Sequence, residues 1–267
     1  MKKFYLNYKE VPSNPTIEFA DKILEKAKGA TEVESKGGGS TIDTGKYIAY
    51  KLKIPHTAIP TTAGTGSEAT KYAVFVKDGK KFSLEDDKLI PDKYILNPSL
   101  VISLPVEQTI ASGLDALSQS IESFWSPLST SESRDYSKKA VHLITANLPS
   151  SVRNPKNEYS RMGMLEAANY SGKAINITRT SICHALSYPL TAKREIPHGI
   201  ACAMFLPFFM RYFNMPDKTI SKISHLLSEL GVKRERLTDE DISEALESER
   251  SKNTPKPIKR ELLSKLI

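Results

Sequence analysis

The chain changes character near residue 105, and that change limits the folds open to it. Before it, short β-branched runs alternate with Gly- and Pro-rich loops; after it, long stretches carry apolar residues at helical spacing. The pattern predicts an α/β unit over residues 1–104 followed by an all-α unit over residues 105–267.

In the first part, Thr16 to Lys28 reads as an amphipathic helix with Ile17, Phe19, Ala20, Ile23 and Leu24 on or near one face. Gly37-Gly38-Gly39-Ser40 leads into a second helix, Thr41 to Leu52. The stretch Ala30 to Lys36 is too charged for a buried parallel strand and is not expected to be one. His56 to Pro60 reads as a strand that ends in the loop Thr61-Thr62-Ala63-Gly64-Thr65-Gly66-Ser67-Glu68. Tyr72 to Val76 and Lys81 to Leu84 flank Asp78-Gly79, a hairpin signal, and Tyr94 to Leu96 is one more strand. In the second part, helices are expected over Pro105–Phe124, Ser131–Leu148, Glu158–Ala174 and His198–Tyr212, with His184 in a further helical segment and three helices near the C-terminus.

Composition narrows the function classes. With 39% apolar and 26% charged residues in 267, the chain has an ordinary globular balance. The longest apolar run, Ile200 to Met210, is too short to span a membrane and contains Pro207. Met1 to Tyr8 is basic at its start but lacks the apolar core of a signal peptide, and the two cysteines fit a reducing cytoplasm. The excess of 38 basic over 31 acidic residues lies largely in C-terminal amphipathic segments such as Lys252 to Lys265, with no nucleic-acid-binding motif beside it.

Three groups of residues carry chemistry. Gly37-Gly38-Gly39-Ser40 precedes a helix, where bare backbone lets amides and the helix N-terminus approach a pyrophosphate; Gly64-Thr65-Gly66-Ser67 follows a strand and adds hydroxyls. Alone, each loop is more often a plain tight turn than a phosphate site; two in one small α/β region make the two readings even. Asp115, His184 and His198 form a one-carboxylate, two-imidazole set of the kind that holds a divalent metal with positions open for substrate. Spacing alone leaves structural histidines as the simpler reading, and His56, His142 and His225 are taken as structural. Lys173, Arg179, Lys193 and Arg194 cluster in sequence around His184 and could serve an anion.

The ordered motifs resemble those of the iron-containing alcohol dehydrogenase family. Gly37-Gly38-Gly39-Ser40-Thr41-Ile42-Asp43-Thr44-Gly45-Lys46 and Pro60-Thr61-Thr62-Ala63-Gly64-Thr65-Gly66-Ser67-Glu68 are similar to its cofactor segments. Gly113-Leu114-Asp115-Ala116-Leu117, His184-Ala185-Leu186-Ser187-Tyr188-Pro189 and Pro197-His198-Gly199 are similar to its metal motifs. The resemblance implies NAD(P)H on Gly37, Gly38, Gly39, Ser40, Asp43, Thr61, Thr62, Thr65, Ser67 and Lys81, and Fe²⁺ or Zn²⁺ on Asp115, His184 and His198, which are also the catalytic set. Gln119 stands where the family usually has a metal-binding His, and Tyr188 where many members have another. With the run Gly172 to Ile177, these departures are similar to the branch that reduces phosphonoacetaldehyde to 2-hydroxyethylphosphonate; from the cations near His184 in sequence, Lys173 and Arg179 are taken, with Gln119 and Tyr188, as substrate-binding. The expectation is thus an NAD(P)H-dependent reduction of a small anionic aldehyde by a cytoplasmic homodimer that binds neither nucleic acid nor membrane. The family also has a β-α-β segment before the region matching residues 1–20, so the nucleotide-binding domain is expected to be truncated. Rival expectations are an alcohol dehydrogenase for another small alcohol, dehydroquinate or glycerol-phosphate chemistry, and a non-catalytic relative that serves as a binding or interaction protein.

Overall fold

The computed structural model describes residues 2–267, apart from the Lys80 side chain; Met1, the first residue of the N-terminal reading, lies outside the described residues. Strand β1 (Lys3–Asn7) opens the chain, and helix α1 (Ile17–Ala27) carries it to β2 (Glu32–Gly37). Helix α2 (Gly39–Leu52) then leads to β3 (His56–Pro60). With the short β6 (Lys93–Tyr94) they form a parallel sheet in the order β1-β2-β3-β6, with Val33 opposite both Phe4 and His56. Between β3 and β6, β4 (Tyr72–Lys77) and β5 (Lys80–Glu85) pair as an antiparallel hairpin. Its turn residues, Asp78 and Gly79, both have positive φ (50° and 72°), as the Asp-Gly pair predicts.

Strand β2 corrects one expectation. The charged stretch does form a strand, and its pleat explains how. Val33, Ser35 and Gly37 point into the protein, while Glu32, Glu34 and Lys36 lie on a half-open face. Lys3 of β1 lies 3.4 Å from Glu32 and 3.3 Å from Glu34, so the charges are matched across the sheet. Beneath, Val33 packs with Leu6 of β1 and with Ile23, Ala27, Ile48 and Ala49 on the apolar faces of α1 and α2.

The helical part starts at α3 (Val106–Trp125) and continues through α4 (Ser131–Arg153), α5 (Glu158–Thr178) and α6 (Ile182–Arg194). The single helix expected over His198 to Tyr212 is two, α7 (His198–Ala203) and α8 (Leu206–Tyr212). Pro207 is the reason. It lacks an N–H, and its ring would strike the Ala203 carbonyl in a continuous helix, so it sits in the first turn of a new one. Four more helices follow, α9 (Asp217–Glu229), α10 (Asp239–Glu247), α11 (Glu249–Lys252) and α12 (Arg260–Leu263). Leu114, Leu117 and Ile121 of α3 are fully buried against Leu186 and Leu190 of α6 and Phe205 and Phe209, each contributing about 1.5–3 kcal/mol by removal from water. No helix among the described residues is long and apolar enough to cross a membrane.

The two parts meet along the loop after β3. A Cβ on Gly66, whose φ is +59°, would collide with the Ala168 carbonyl and come within 2.7 Å of the Gly172 Cα, so loop and α5 touch backbone to backbone. The Lys71 amide donates to Asn176 Oδ1 at 2.8 Å, and Asn169 Nδ2 to Glu68 Oε1 at 3.1 Å. These contacts fix the cleft between sheet and helices.

Candidate active site

Helix α3 sets the floor of the cleft. Asp115, Gln119 and Glu122 recur every three or four residues and share one buried face. Glu122 is fully buried, and its carboxylate replaces the side-chain cap that Ser181 does not give α6. It accepts the amides of Ser181 (2.8 Å), Cys183 (2.6 Å) and His184 (3.2 Å), which would otherwise be orphaned in the first turn. It also lies 2.5 Å from His184 Nδ1, so that nitrogen carries the proton and Nε2 presents a lone pair.

That lone pair faces Asp115 Oδ1 at 3.4 Å. His198 enters from α7, its Nε2 3.9 Å from the same oxygen and its Nδ1 3.1 Å from Ser187 Oγ. Helices α7 and α3 approach closely enough for this because residue 199 is glycine: a Cβ there would run into the Ala111 carbonyl and lie 2.7 Å from the Asp115 amide. Cys202, one turn beyond His198, is fully buried and brings Sγ to 3.8 Å from His198 Nε2. One donor atom from each of Asp115, His184, His198 and Cys202 lies within 4.8 Å of all the others.

The cluster suits a divalent metal. Asp115 Oδ1 and His184 Nε2 are buried without a hydrogen-bond partner, although both can accept and they aim at one place. Burial alone would lower the pKa of His184, but charge on Cys202 and Glu122 and the nearby Asp115 carboxylate raise it well above the ordinary value, favouring at Nε2 a proton that a metal would displace. Burial likewise opposes ionisation of Asp115 and Cys202, yet the imidazoles hold the Asp115 carboxyl below its usual range and draw the Cys202 thiol down to about 7. A pocket that attracts protons so strongly attracts a metal cation for the same electrostatic reason. One carboxylate and two imidazoles are a set that Fe²⁺ and Zn²⁺ both accept.

From this cluster a cleft of about 830 Å³ runs toward the sheet. Asp115 and His198 line one end, and Gly38, Gly39, Ser40, Thr61, Thr62 and Thr65 line its walls. Gly38 is the N-cap of α2 and offers no side chain, so the first amides of that helix are open to an anion. The Gly37 carbonyl accepts the Thr61 amide at 2.9 Å and ties the two glycine loops together.

Other residues singled out in the sequence do not line this cleft. Asp43 and Ser67, grouped above with the cofactor residues, bond each other behind the loops; Asp43 also accepts the Val74 amide at 2.9 Å and pairs with Lys46 at 3.6 Å. Their role here is to brace α2 against the second loop and β4. Lys81, also grouped above with the cofactor residues, lies over the Tyr188 ring, 4.9 Å from its centroid. Tyr188 stacks parallel to His198 at 6.0 Å. The Gln119 carbonyl oxygen accepts from Ser171 Oγ at 2.7 Å. Lys173 does not reach the cluster: it sits among the rings of Tyr94, Tyr136 and Tyr170. Arg179 pairs with Glu85 at 2.7 Å, Lys193 with Glu240 and Glu244, and Arg194 with Asp241. A carboxylate partner already satisfies each of these last three cations.

Glu122, Cys202 and Arg250 were not singled out from the sequence. The spacing Asp115, Gln119, Glu122 carried a signal for the first, and the four-residue step from His198 carried one for the second. Arg250 lies 5.2 Å from the Tyr188 centroid and comes from a distant helix; its run, Glu249 to Pro255, is similar to the family's C-terminal pattern, which gave it no role.

Comparison with known proteins agrees with this geometry. Residues 2–98 match the family described as iron-containing alcohol dehydrogenase, and residues 109–252 the C-terminal part of the Fe-containing alcohol dehydrogenase family. A phosphonoacetaldehyde reductase from Streptomyces viridochromogenes is 40% identical over 158 residues, 58% of this chain and 40% of that protein. An alcohol dehydrogenase from Thermococcus barophilus is 30% identical over 248 residues, 83% of this chain and 65% of that one. The chain therefore spans less than two thirds of the length of these curated relatives. The crystal structure of sulfoacetaldehyde reductase from Bifidobacterium kashiwanohense, in complex with NAD⁺, superposes with a TM-score of 0.91 at 27% identity, over 99% of this chain and 89% of that one.

Proposed function

The chain belongs to the iron-containing alcohol dehydrogenase family, and from that premise we propose that its cleft reduces a small anionic aldehyde to the alcohol with NAD(P)H, phosphonoacetaldehyde being the favoured substrate. One observation carries the reading: Asp115 and His198 line the same cleft as the two glycine loops, so a carbonyl at the cluster would sit beside a cofactor on those loops.

Asp115, His184 and His198 would hold the metal, which when bound would supply Lewis acidity toward the carbonyl oxygen. The chain would orient a bound nicotinamide, whose chemistry is hydride transfer. Glu122 keeps His184 in the tautomer that presents Nε2. The open amides at the start of α2, with Gly38, Gly39 and Ser40, receive the pyrophosphate; Thr61, Thr62 and Thr65 face the nicotinamide end.

For the anionic tail, Lys81 and Arg250 replace the sequence-based choice of Lys173 and Arg179. Both lie against the Tyr188 ring beside the cluster, and neither has a carboxylate within ion-pair distance among the described residues. The Arg250 guanidinium donates to Thr180 Oγ1 at 2.9 Å. Burial lowers the pKa of Lys81, and the neighbouring Arg250 charge adds to that, against the pull of Cys202 and Asp115. Two cations without a counter-charge favour an anion between them. The names of the Streptomyces and Bifidobacterium relatives, both reductases of a two-carbon aldehyde with an anionic end, support the same class.

The test is oxidation of NADH and NADPH by the purified, metal-loaded protein with phosphonoacetaldehyde and with propanal. Preference for the phosphonate supports the proposal. Equal turnover favours the reading as an alcohol dehydrogenase for another small alcohol, and no turnover with metal and cofactor both bound removes the catalytic reading.

A further inference from the structure

We infer that Cys202 is a fourth protein donor to the metal in this cluster. The inference rests on the reading of Asp115, His184 and His198 as a metal site and extends it to a residue of a different chemical kind.

The geometry has three independent parts. Cys202 follows His198 by four residues on α7, so the two side chains stand side by side on one helix face. Tetrahedral donors with metal–ligand bonds of about 2.0–2.3 Å lie roughly 3.3–3.8 Å from one another. The distances here are 3.4 Å for His184 Nε2 to Asp115 Oδ1, 3.9 Å for His198 Nε2 to the same oxygen, and 3.8 Å for Cys202 Sγ to His198 Nε2. Second, Asp115 and His184 are 6% and 4% exposed, and the two atoms they aim at this spot have no hydrogen-bond partner. Third, Gln119, the remaining polar group on this face of α3, has its carbonyl oxygen held by Ser171. The thiol is the donor left over.

A thiolate changes what the site prefers. With Asp115 it supplies two negative charges and can neutralise a divalent ion in a buried pocket, where an imidazole or an amide could not. On metal binding the S–H bond breaks, the S–metal bond forms, and the proton leaves to solvent. Sulfur donors favour Zn²⁺ over Fe²⁺, so this chain should select zinc when both are supplied. Cys183 provides the control. It is also buried, but its backbone amide bonds Glu122 and it is not part of the donor cluster.

The test uses Co²⁺ as a spectroscopic stand-in for the metal in the full chain. A thiolate-to-cobalt charge-transfer band in the near ultraviolet is expected, retained in Cys183→Ser and lost in Cys202→Ser. Zinc affinity should fall at least about tenfold in Cys202→Ser. Zinc-edge X-ray absorption on the unsubstituted protein gives the same answer without a variant, through a sulfur shell at about 2.3 Å. A metal-loaded protein with only nitrogen and oxygen neighbours overturns the assignment of Cys202 and leaves the three-residue site intact. Failure to bind either metal overturns both.

Discussion

Glu122 holds His184 by its ring and by its backbone: one carboxylate oxygen lies 2.5 Å from Nδ1, and the other accepts the His184 amide at 3.2 Å. The same side chain therefore caps α6 and selects the tautomer of a histidine proposed to hold the metal. A single carboxylate couples the start of a helix to the chemistry of the site.

The first prediction follows from that coupling. Glu122→Gln keeps the shape but has one acceptor oxygen where the carboxylate has two, and its NH₂ cannot accept the Nδ1 proton. Metal affinity should drop by about 10–100-fold, with a loss of about 1–3 kcal/mol from the broken charged bonds to the α6 amides. Zinc titration calorimetry and urea unfolding of the same variant measure the two effects separately. Unchanged affinity with reduced stability would make Glu122 a cap and nothing more.

Gly199 provides the second. Any side chain there meets the Ala111 carbonyl and the Asp115 amide, so α7 must move off α3 and carry His198 with it. Gly199→Ala should lose metal on dialysis and be less stable by about 1–3 kcal/mol, the usual cost of overpacking. Metal content by elemental analysis and a thermal melt on one sample decide it. Retention of stoichiometric metal would show that His198 is not positioned by this contact.

How much of this was legible in the sequence depends on whether the signal was local. Asp115, His184 and His198 were found through motifs, and the Asp78-Gly79 turn through its own backbone chemistry. Strand β2 was missed because its charges were weighed as if both faces of a parallel strand must be apolar; here Glu32 and Glu34 meet Lys3 on a half-open face. The break between α7 and α8 could have been read from Pro207, which was noticed only as an interruption of an apolar run. Lys173 and Arg179 were chosen by nearness in sequence to His184, but α5 carries them to Tyr94, Tyr136 and Tyr170 and to Glu85. Arg250 lies in the run Glu249 to Pro255, which resembles the family's C-terminal pattern, but its place beside Tyr188 is set by tertiary packing alone.

The third prediction separates these two pairs of cations. A charge-assisted hydrogen bond contributes about 1.5–3 kcal/mol, and about 1.4 kcal/mol is tenfold in rate. Arg250→Met and Lys81→Met should each lower kcat/KM for phosphonoacetaldehyde by roughly ten- to a hundredfold and leave propanal nearly unchanged. Lys173→Met should alter neither. A fall confined to Lys173→Met would restore the sequence-based choice. Equal losses on both substrates from Lys81→Met would place that lysine with the cofactor.

The last prediction concerns acid sensitivity and lies outside the cleft. His56 begins β3, is 3% exposed, and bonds Ser35 Oγ at 2.7 Å through Nε2, while its buried Nδ1 has no partner. Burial, and secondarily the charge of Lys46, push its pKa from 6.5 down to about 3. The unfolded chain therefore binds a proton at His56 below about pH 6.5 while the folded chain stays neutral to about pH 3, so stability rises with pH across that window and is lost as pH falls through it. Acidification to about pH 5 spans roughly 1.5 units of it, and at about 1.36 kcal/mol per unit this site contributes a loss of about 2 kcal/mol. His56→Gln keeps a polar group near Ser35 but cannot titrate. Urea unfolding of both proteins at about pH 7.5 and about pH 5 should show the unsubstituted chain losing about 2 kcal/mol more than the variant, since the carboxylates common to both cancel in the comparison. Equal losses would clear His56 of any part in the acid sensitivity and assign it to carboxylates held below their usual range, Asp86 and Asp115 among them.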